Sequence, residues 1–380
     1  MLQYWVWLAL AKELSLRKKL ALLEHFSGPE AIYQLATLPD GTEMSKDLTP
    51  AETVMKKCRR RGIRILPFGD PKYPALLRNI SDPPLVLYCL GQVPDTQSQP
   101  VIGVVGTRKA SPYGLRMAKE ISRQLSAGGG LVVSGGAAGV DAQALWGALE
   151  GEMPCIAVLG CGVDVVYPTE NRKLFMRLEE KGCLISEYPP GTGVKPWQFP
   201  ARNRIISGIS NGVLVVEAPE KSGALITARD AMEQDRDVYV IPGNIDMNSC
   251  AGSNLLLQEG AVAALSGWDI LRQYTGKYPQ LRKPSKPALN VSKEEKEPAE
   301  NKKGIDNPAP KPYSDGVTEE KLLTEEEMKV LACVSREALP MDTVIGKLDI
   351  PAPTVLRLLT RLSLMGRVVI HPGKLVSLRE

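Results

Sequence analysis

The chain has 380 residues, enough for two or three domains, and its 43% hydrophobic content is that of an ordinary globular protein. The formal net charge of +4 is too small to indicate a nucleic-acid partner, so any such surface must come from local clustering of cations. The seven cysteines contain no Cys-x-x-Cys pair, which predicts reduced thiols and a cytoplasmic protein. No run approaches the roughly 18 apolar residues of a membrane span and the start lacks a basic leader, so we expect no membrane insertion.

Residues 1–60 have the pattern of a small helical domain of the SAM or helix-hairpin-helix type. Leucines recur at helical spacing, and Gly28-Pro29 interrupts them. Such a domain either grips a nucleic-acid backbone or serves as a docking cap. Because the turn before Leu16 has no glycine, the cap is favoured.

Residues 61–275 predict an α/β fold, an extended Rossmann-like, doubly wound parallel sheet. Two proline-flanked apolar runs within 62–91 are typical of edge strands, which would extend the sheet at one side. Helical stretches are predicted to begin near Val140, Asn171, Arg202, Ala224 and Ser253. The strands before and between them are predicted at 101–105, 131–134, 156–159, 183–187, 213–217 and 238–241. Loops that follow parallel strands meet at the carboxyl edge of a sheet, where open α/β folds bind ligands.

Two glycine-rich turns lie at predicted strand exits. Gly106 and Thr107 precede Arg108 in the first turn, and Gly135 and Gly136 belong to the second. Backbone N–H groups in such turns, next to a helix start, form an anion site, and we expect the anion to be a nucleic-acid phosphate. The alternative is that the glycines only permit tight packing of strand against helix.

The stretch from Lys195 to Arg204 interleaves two aromatic rings with three cations. Flat rings for bases and charges for phosphates are what a single-stranded nucleic acid requires. We expect Phe199 to be partly exposed and Trp197 to lie in the core. Lys221 follows a later strand, and Ser222 is predicted to cap the next helix.

Signatures of hydrolytic or metal chemistry are missing from the sequence. The only histidines, His25 and His371, lie in the two end regions, and no Gly-x-Ser-x-Gly elbow, Walker motif or metal-ligand spacing occurs. Asp141 is interpreted as a first-turn carboxylate that stabilises a helix dipole. We therefore expect no cofactor, no metal and no catalytic residue.

The last hundred residues divide into a linker and a small domain. Residues 276–317 are rich in Lys, Glu, Pro and Asn, which predicts a flexible tether. Residues 318–380 predict a winged helix: helices at 325–333, 341–348 and 352–365, then a hairpin over 368–378 that turns at Pro372-Gly373. On the third helix Val355, Leu358, Leu359 and Leu362 should face inward and Thr354, Arg357 and Arg361 outward. DNA contact and protein docking are equally compatible with that outward face.

Taken together, these motifs resemble the DNA processing protein A family (DprA, also called Smf). The most specific are Gly106-Thr107-Arg108, the turn from Ser134 to Asp141, Phe199-Pro200-Ala201-Arg202-Asn203-Arg204, and Lys221-Ser222-Gly223-Ala224. The resemblance implies a protein that protects incoming single-stranded DNA during natural transformation and loads a RecA-type recombinase onto it, as a homodimer and without catalysis. It implies a single-strand groove formed by Arg108, Lys195, Phe199, Arg202, Asn203, Arg204 and Lys221. The chain departs from the family pattern at Leu145, where members usually carry histidine.

Two other functions stay open at this point. Related Rossmann domains with Gly-Gly turns cleave nucleoside monophosphates, although their longer Pro-Gly-Gly-x-Gly-Thr turn and its partner glutamate are missing here. A regulator of duplex DNA that acts through residues 318–380 is the third possibility.

Overall fold

A computed structural model describes residues 1–35, 37–284, 325–335, 339–348, 350–364, 367–371 and 375–378. The chain divides into two compact units, residues 1–291 and 292–380. Most of the predicted linker, from residue 285 to 317, and the predicted turn at Pro372-Gly373 lie outside the described residues.

The N-terminal region is helical, as predicted. Its helices are α1 (Leu2–Leu10), α2 (Leu16–His25), α3 (Pro29–Gln34) and α4 (Thr49–Arg60). Their core includes Val6, Leu8 and Ile32, and it also includes Leu85 and packs against Ile65, which belong to the sheet region. The helices therefore form one compact unit with the sheet, and the domain boundary at residue 60 stays a prediction.

The first unit is built on a nine-stranded sheet with the order β1-β2-β6-β5-β4-β3-β7-β8-β9. The strands are β1 (Arg64–Pro67), β2 (Val86–Gly91), β3 (Val101–Val105), β4 (Leu131–Ser134), β5 (Cys155–Val158), β6 (Cys183–Ser186), β7 (Gly212–Val215), β8 (Asp237–Val240) and β9 (Val262–Ala263). Strands β3 to β9 pair in parallel, whereas β1 and β2 are antiparallel additions at one edge. The predicted parallel sheet and its edge extension are confirmed, and only the two-residue β9 was not predicted.

Helices cover both faces of this sheet. They are α5 (Ala75–Arg78), α6 (Pro112–Ala127), α7 (Val140–Leu149), α8 (Arg172–Lys181), α9 (Gln198–Ile209), α10 (Gly223–Glu233), α11 (Ala251–Gln258) and α12 (Gly267–Leu271), with short 3₁₀ turns at Thr169–Asn171 and Arg272–Tyr274. One core contains residues of α6, α7 and α8, and a second contains residues of α9, α10 and α11. Branched apolar strands such as β3, buried at every residue, are what a sheet covered on both faces requires.

Helix α9 begins four residues earlier than predicted, at Gln198 instead of Arg202. Pro200 does not prevent this, because proline is tolerated in the first turn of a helix, where its missing N–H has no intrahelical partner. Phe199 is therefore held by a helix and not by a loop.

The second unit has the three helices and the two hairpin strands predicted for a winged helix, and a further two-residue strand that was not predicted. They are α13 (Glu325–Ala332), β10 (Leu339–Pro340), α14 (Met341–Gly346), α15 (Ala352–Leu364), β11 (Val368–His371) and β12 (Leu375–Leu378), with the sheet order β10-β12-β11. All four residues predicted to face inward are buried in its core: Val355, Leu358, Leu359 and Leu362. Within the described residues, no helix combines the length and apolar character needed to cross a bilayer.

Candidate nucleic-acid interface

A cavity in the first unit opens at the carboxyl ends of β3 and β7. These two strands are neighbours, yet the chain leaves β3 toward β4 on one side and reaches β7 on the other. Such a reversal of strand order is where open α/β sheets bind ligands, because the loops on its two sides diverge. The cavity measures about 880 Å³, and we call it the cleft. It is lined by Val105 at the end of β3 and residues 106–109 after it, by Pro219 and residues 221–224 after β7, by several residues of α9 and α10, and by Asn248 and Ser249 after β8.

Arg108, Phe199 and Tyr167 form an aromatic and cationic cluster in the wall of the cleft. The guanidinium carbon of Arg108 lies 5.4 Å from the centre of the Phe199 ring, within cation–π range. The Tyr167 ring lies 5.5 Å from that of Phe199 and is tilted by 37°. Arg108 is exposed and Phe199 is partly exposed, as predicted for Phe199. The fold therefore brings together a cation after β3, a ring on α9 and a ring from the loop after β5.

Further cations stand around the cleft without an internal counter-charge. Lys109 and Lys221 line it and are exposed. In the part of the chain that the structure describes, no carboxylate lies within 4 Å of the charged atoms of Arg108, Lys109 or Lys221. These charges are therefore free to meet an anion.

The remaining predicted residues of the α9 stretch take different positions. Asn203 lines the cleft, and its side-chain amide donates to the carbonyl oxygen of Gly223 over 3.3 Å. Lys195 is exposed beside the cleft, between the lining residues Val194 and Pro196. Trp197 is 59% exposed, so the expectation that it lies in the core was wrong.

Arg202 does not offer a free guanidinium to the cleft. It is 4% exposed, and its Nη1 donates to the carbonyl oxygens of Gly135 and Val158. Burial lowers the pKa of Arg202, and the nearby Asp141 carboxylate opposes that shift. Because its donors hold the exits of β4 and β5 against α9, Arg202 fixes the wall of the cleft instead of presenting its charge there.

Arg204, unlike the buried Arg202, lies outside the cleft lining, contrary to its predicted place in the groove. Two of its nitrogens donate to the Glu187 carboxylate at 3.0 and 2.7 Å, and Nε donates to Asp82 at 2.9 Å. Bidentate pairing of this kind satisfies a guanidinium almost completely. The residue joins α9 to the segments around residues 82 and 187.

The glycine turns differ from the phosphate-binding loops expected of them. Glu217, 1% exposed, accepts from the backbone N–H of Ser111 at 3.1 Å and from its hydroxyl at 2.7 Å, so a carboxylate of the chain already occupies the start of α6. In the first turn, the N–H of Thr107 donates to the carbonyl oxygen of Glu217 over 2.7 Å. A Cβ on Gly106 would lie 2.6 Å from Val140, so this glycine serves close packing of β3 on α7. That was the alternative interpretation of these turns.

The second turn is occupied in the same way by Asp141. Its carboxylate accepts from the N–H of Ala137 at 3.4 Å, and burial raises its pKa while Arg202 opposes that shift. Gly135 and Gly136 are both buried, and Gly136 adopts a positive φ of 67°. As predicted, Asp141 lies in the first turn of α7.

A smaller cavity of about 160 Å³ continues from the cluster toward β4 and β5. It shares Arg108, Ala137, Tyr167, Phe199 and Arg202 with the cleft and adds Gly135, Ala138, residues 159–161 and Pro168. The open surface at this edge therefore extends past the cluster.

Three functional candidates were missed from the sequence: Tyr167, Lys109 and the exposed ring of Trp197. Tyr167 follows β5 by nine residues, so its only signal was a position after a strand exit. The predicted helix cap at Ser222 is confirmed, because its hydroxyl accepts from the N–H of Ala224 at 3.2 Å. In the winged-helix unit, Arg357 and Arg361 are exposed as expected, but Nε of Arg361 lies 3.0 Å from the buried Glu327 carboxylate. Across the described residues, no group of three or more His, Cys, Asp or Glu side chains is arranged to hold a metal ion.

Comparison with known proteins connects this arrangement to one family. The sequence model of the family DNA recombination-mediator protein A matches residues 64–275, and that of the DprA winged helix domain matches residues 310–374. The protein Smf of Synechocystis sp. is 37% identical over 331 residues, which are 84% of this chain and 81% of Smf.

Two solved structures share the fold. DNA processing protein A of Streptococcus pneumoniae is 34% identical, with a TM-score of 0.56 over 69% of this chain and 87% of that one. DNA processing protein A of Helicobacter pylori, whose single-stranded DNA binding mode has been described, is 29% identical, with a TM-score of 0.52 over 57% of this chain and 97% of that one.

Proposed function

The chain belongs to the DNA recombination-mediator protein A family, also called DprA or Smf, and from that premise we propose that it binds single-stranded DNA in the cleft. The bound strand is then handed to a RecA-type recombinase during natural transformation. The protein acts as a mediator and not as an enzyme, and it works in the reducing environment of the cytoplasm. All seven cysteines are free thiols, which supports that location.

The observation that carries the proposal is the Arg108, Phe199 and Tyr167 cluster at the reversal of strand order. A ring stacked on a base contributes about 1–3 kcal/mol and tolerates any sequence, because every base has a π face. Unpaired cations on either side, Lys109 and Lys221, supply the attraction for the sugar-phosphate chain. The relative from Helicobacter pylori adds support, since it binds single-stranded DNA.

The test is the affinity for fluorescent oligothymidine measured by anisotropy. Phe199→Leu removes the ring but keeps apolar volume, and Arg108→Gln removes the charge above it; each should weaken binding by about fivefold or more. Lys221→Gln should reduce the slope of log affinity against log salt by about 0.7, the value for one phosphate of a single strand.

Lys181→Gln is the matched control for Lys221→Gln. Lys181 is an exposed lysine two residues before β6, at the opposite edge of the sheet. Its replacement should leave both affinity and salt slope unchanged. If Phe199→Leu and Arg108→Gln bind like the wild type, the cleft is not the DNA site.

We also propose that the protein is a homodimer joined through its sheet unit. The edge strand β9 leaves Val262 44% exposed, and Leu255 and Leu265 nearby in sequence are 46% and 78% exposed. Exposed edges of this kind favour association. Sedimentation of wild type against Leu265→Lys tests this, and the recombinase step is tested by RecA-dependent strand exchange with and without the protein.

A further inference from the structure

A second basic surface lies where α4 ends, and none of the residues discussed for the cleft belongs to it. The sequence there is Lys56-Lys57-Cys58-Arg59-Arg60-Arg61-Gly62-Ile63-Arg64, six cations in nine residues. All six cations are exposed, while Cys58 is buried and anchors the turn to the core. We call these six cations the α4 basic turn.

Most of these charges have no internal partner. Arg61 pairs with Asp164 at 2.7 Å, and Arg64 lies 4.0 Å from Asp70. Within the described residues, no carboxylate lies within 4 Å of the charged groups of the other four, which are Lys56, Lys57, Arg59 and Arg60. The carboxyl end of a helix carries about half a negative charge. Four unpaired cations exceed what that helix end can neutralise, so the surplus is available to an external anion.

The α4 basic turn faces the same edge of the sheet as the cleft. Its Arg61 binds Asp164, in the loop after β5, and that carboxylate also accepts from the N–H of Gly191, in the loop after β6, at 2.7 Å. A Cβ placed on Gly191 would lie 3.9 Å from the ammonium of Lys57. The loop that contains Gly191 then continues to Val194 and Pro196, which line the cleft. One loop therefore connects the two basic surfaces.

An exposed aromatic ring lies on this connection. Trp197 follows the loop directly, and its ring stands edge-on to Tyr188 at 6.1 Å, just past the exit of β6. A flat ring that is 59% exposed, between two groups of cations, matches the alternation of rings and charges in surfaces that bind single strands.

Resting on the proposed function, we propose that a single strand leaving the cleft continues across the carboxyl edge of the sheet to the α4 basic turn. There Lys57 and Arg60 bind its phosphates, and Trp197 stacks on a base between the two surfaces. The path runs from β7 to β6, because the loop after β6 is the one that meets the α4 basic turn. It crosses four strand spacings, or about 19 Å at ~4.8 Å each. Only a strand several nucleotides longer than the cleft itself reaches this second surface.

The test compares short and long oligothymidine of about 6 and about 20 nucleotides, which lie near the lower end and above the upper end of common site sizes of about 4–16 nucleotides. Lys57→Glu/Arg60→Glu should leave the affinity for the short strand unchanged and lower the affinity for the long strand about tenfold at ~0.15 M salt. This is the loss expected for two phosphate contacts, at a salt slope of about 0.7 each. The salt slope for the long strand should fall by about 1.4. Trp197→Leu should likewise weaken only the long strand, by about fivefold or more.

Lys181→Glu/Lys277→Glu is the matched control. It removes the same total charge from exposed lysines away from the carboxyl edge and should change neither affinity. Lys57→Gln/Arg60→Gln should show the same length dependence with less perturbation of the helix end, and thermal melts of all variants verify folding.

Unchanged affinity for the long strand overturns the proposal. An equal loss of affinity for both lengths also overturns it, because the two substitutions would then act only through the overall electrostatic attraction of the protein for DNA. If the surface binds acidic proteins and not the long strand, the proposal is overturned and the surface belongs to another partner. A wrong assignment of the cleft as the DNA site is recognised separately: in that case Phe199→Leu binds the short strand with the affinity of the wild type.

Discussion

Replacing Glu217 by glutamine should destabilise the sheet unit although the residue does not line the cleft. Its carboxylate accepts from the N–H and hydroxyl of Ser111 at the start of α6, and it is 1% exposed. Hydrogen bonds to a charged group contribute about 1.5–3 kcal/mol each, against about 0.5–1.5 kcal/mol for neutral ones. The negative charge at the helix start adds about 0.3–1 kcal/mol. Glutamine keeps one acceptor oxygen, but its NH₂ group replaces the second oxygen and faces the donors of Ser111. The free energy of unfolding should therefore fall by about 2–4 kcal/mol.

For a unit that spans residues 1–291, the entropy of unfolding is roughly 0.6 kcal/mol/K, so a loss of about 3 kcal/mol lowers Tm by about 5 °C. The assay is thermal denaturation followed by circular dichroism, with scanning calorimetry to separate the transition of the sheet unit from that of the winged helix. Glu220→Gln is the control, because Glu220 is exposed three residues further on and should shift stability by less than about 0.5 kcal/mol. If Glu217→Gln melts within about 1 °C of the wild type, the carboxylate is not the anion that stabilises α6.

Three further changes test the structure at other points. Arg202→Met should weaken binding of single-stranded DNA yet leave its salt slope unchanged, because a buried guanidinium positions Phe199 without touching a phosphate; a slope reduced by about 0.7 would instead indicate direct contact. Burial raises the pKa of Cys161 to about 11, so at pH 8 about one thiol in a thousand is a thiolate. Mass spectrometry should therefore show slow alkylation of Cys161 by iodoacetamide that accelerates as pH rises toward 11, and fast alkylation in urea; equal rates in both would contradict its burial. Arg361→Ala removes the ion pair between Arg361 and the buried Glu327 carboxylate and should lower the Tm of the winged-helix transition in calorimetry, whereas Arg357→Ala, at an exposed position on the same helix, should not.

The sequence predicted those elements whose signal is local. A strand such as β3 is a short run of apolar residues covered on both faces, and its bounds were predicted correctly. The cap at Ser222 depends on a residue two positions away. By contrast, the start of α9 was placed too late, near Arg202, although Pro200 lies in the first turn of the helix, where proline is tolerated.

Partners distant in sequence explain the errors in the candidate site. Arg204 belongs to the same cationic stretch as Lys195, and only the fold brings Glu187 and Asp82 to it, from 17 and 122 positions away. Glu217 reaches Ser111 across 106 positions and fills the helix start expected to hold a phosphate. Nothing in the periodicity of either segment carries that information.

By itself, the sequence determined most of the strands and helices, the order in which they alternate, and the edge of the sheet where their loops collect. These properties follow from apolar periodicity and from the chemistry of glycine, proline and serine within a few residues. Tertiary structure alone decided which cations stay free. Arg108 and Lys221 remain available to a ligand while Arg202 and Arg204 are engaged internally, because a charge is neutralised by whatever the fold places within about 4 Å of it.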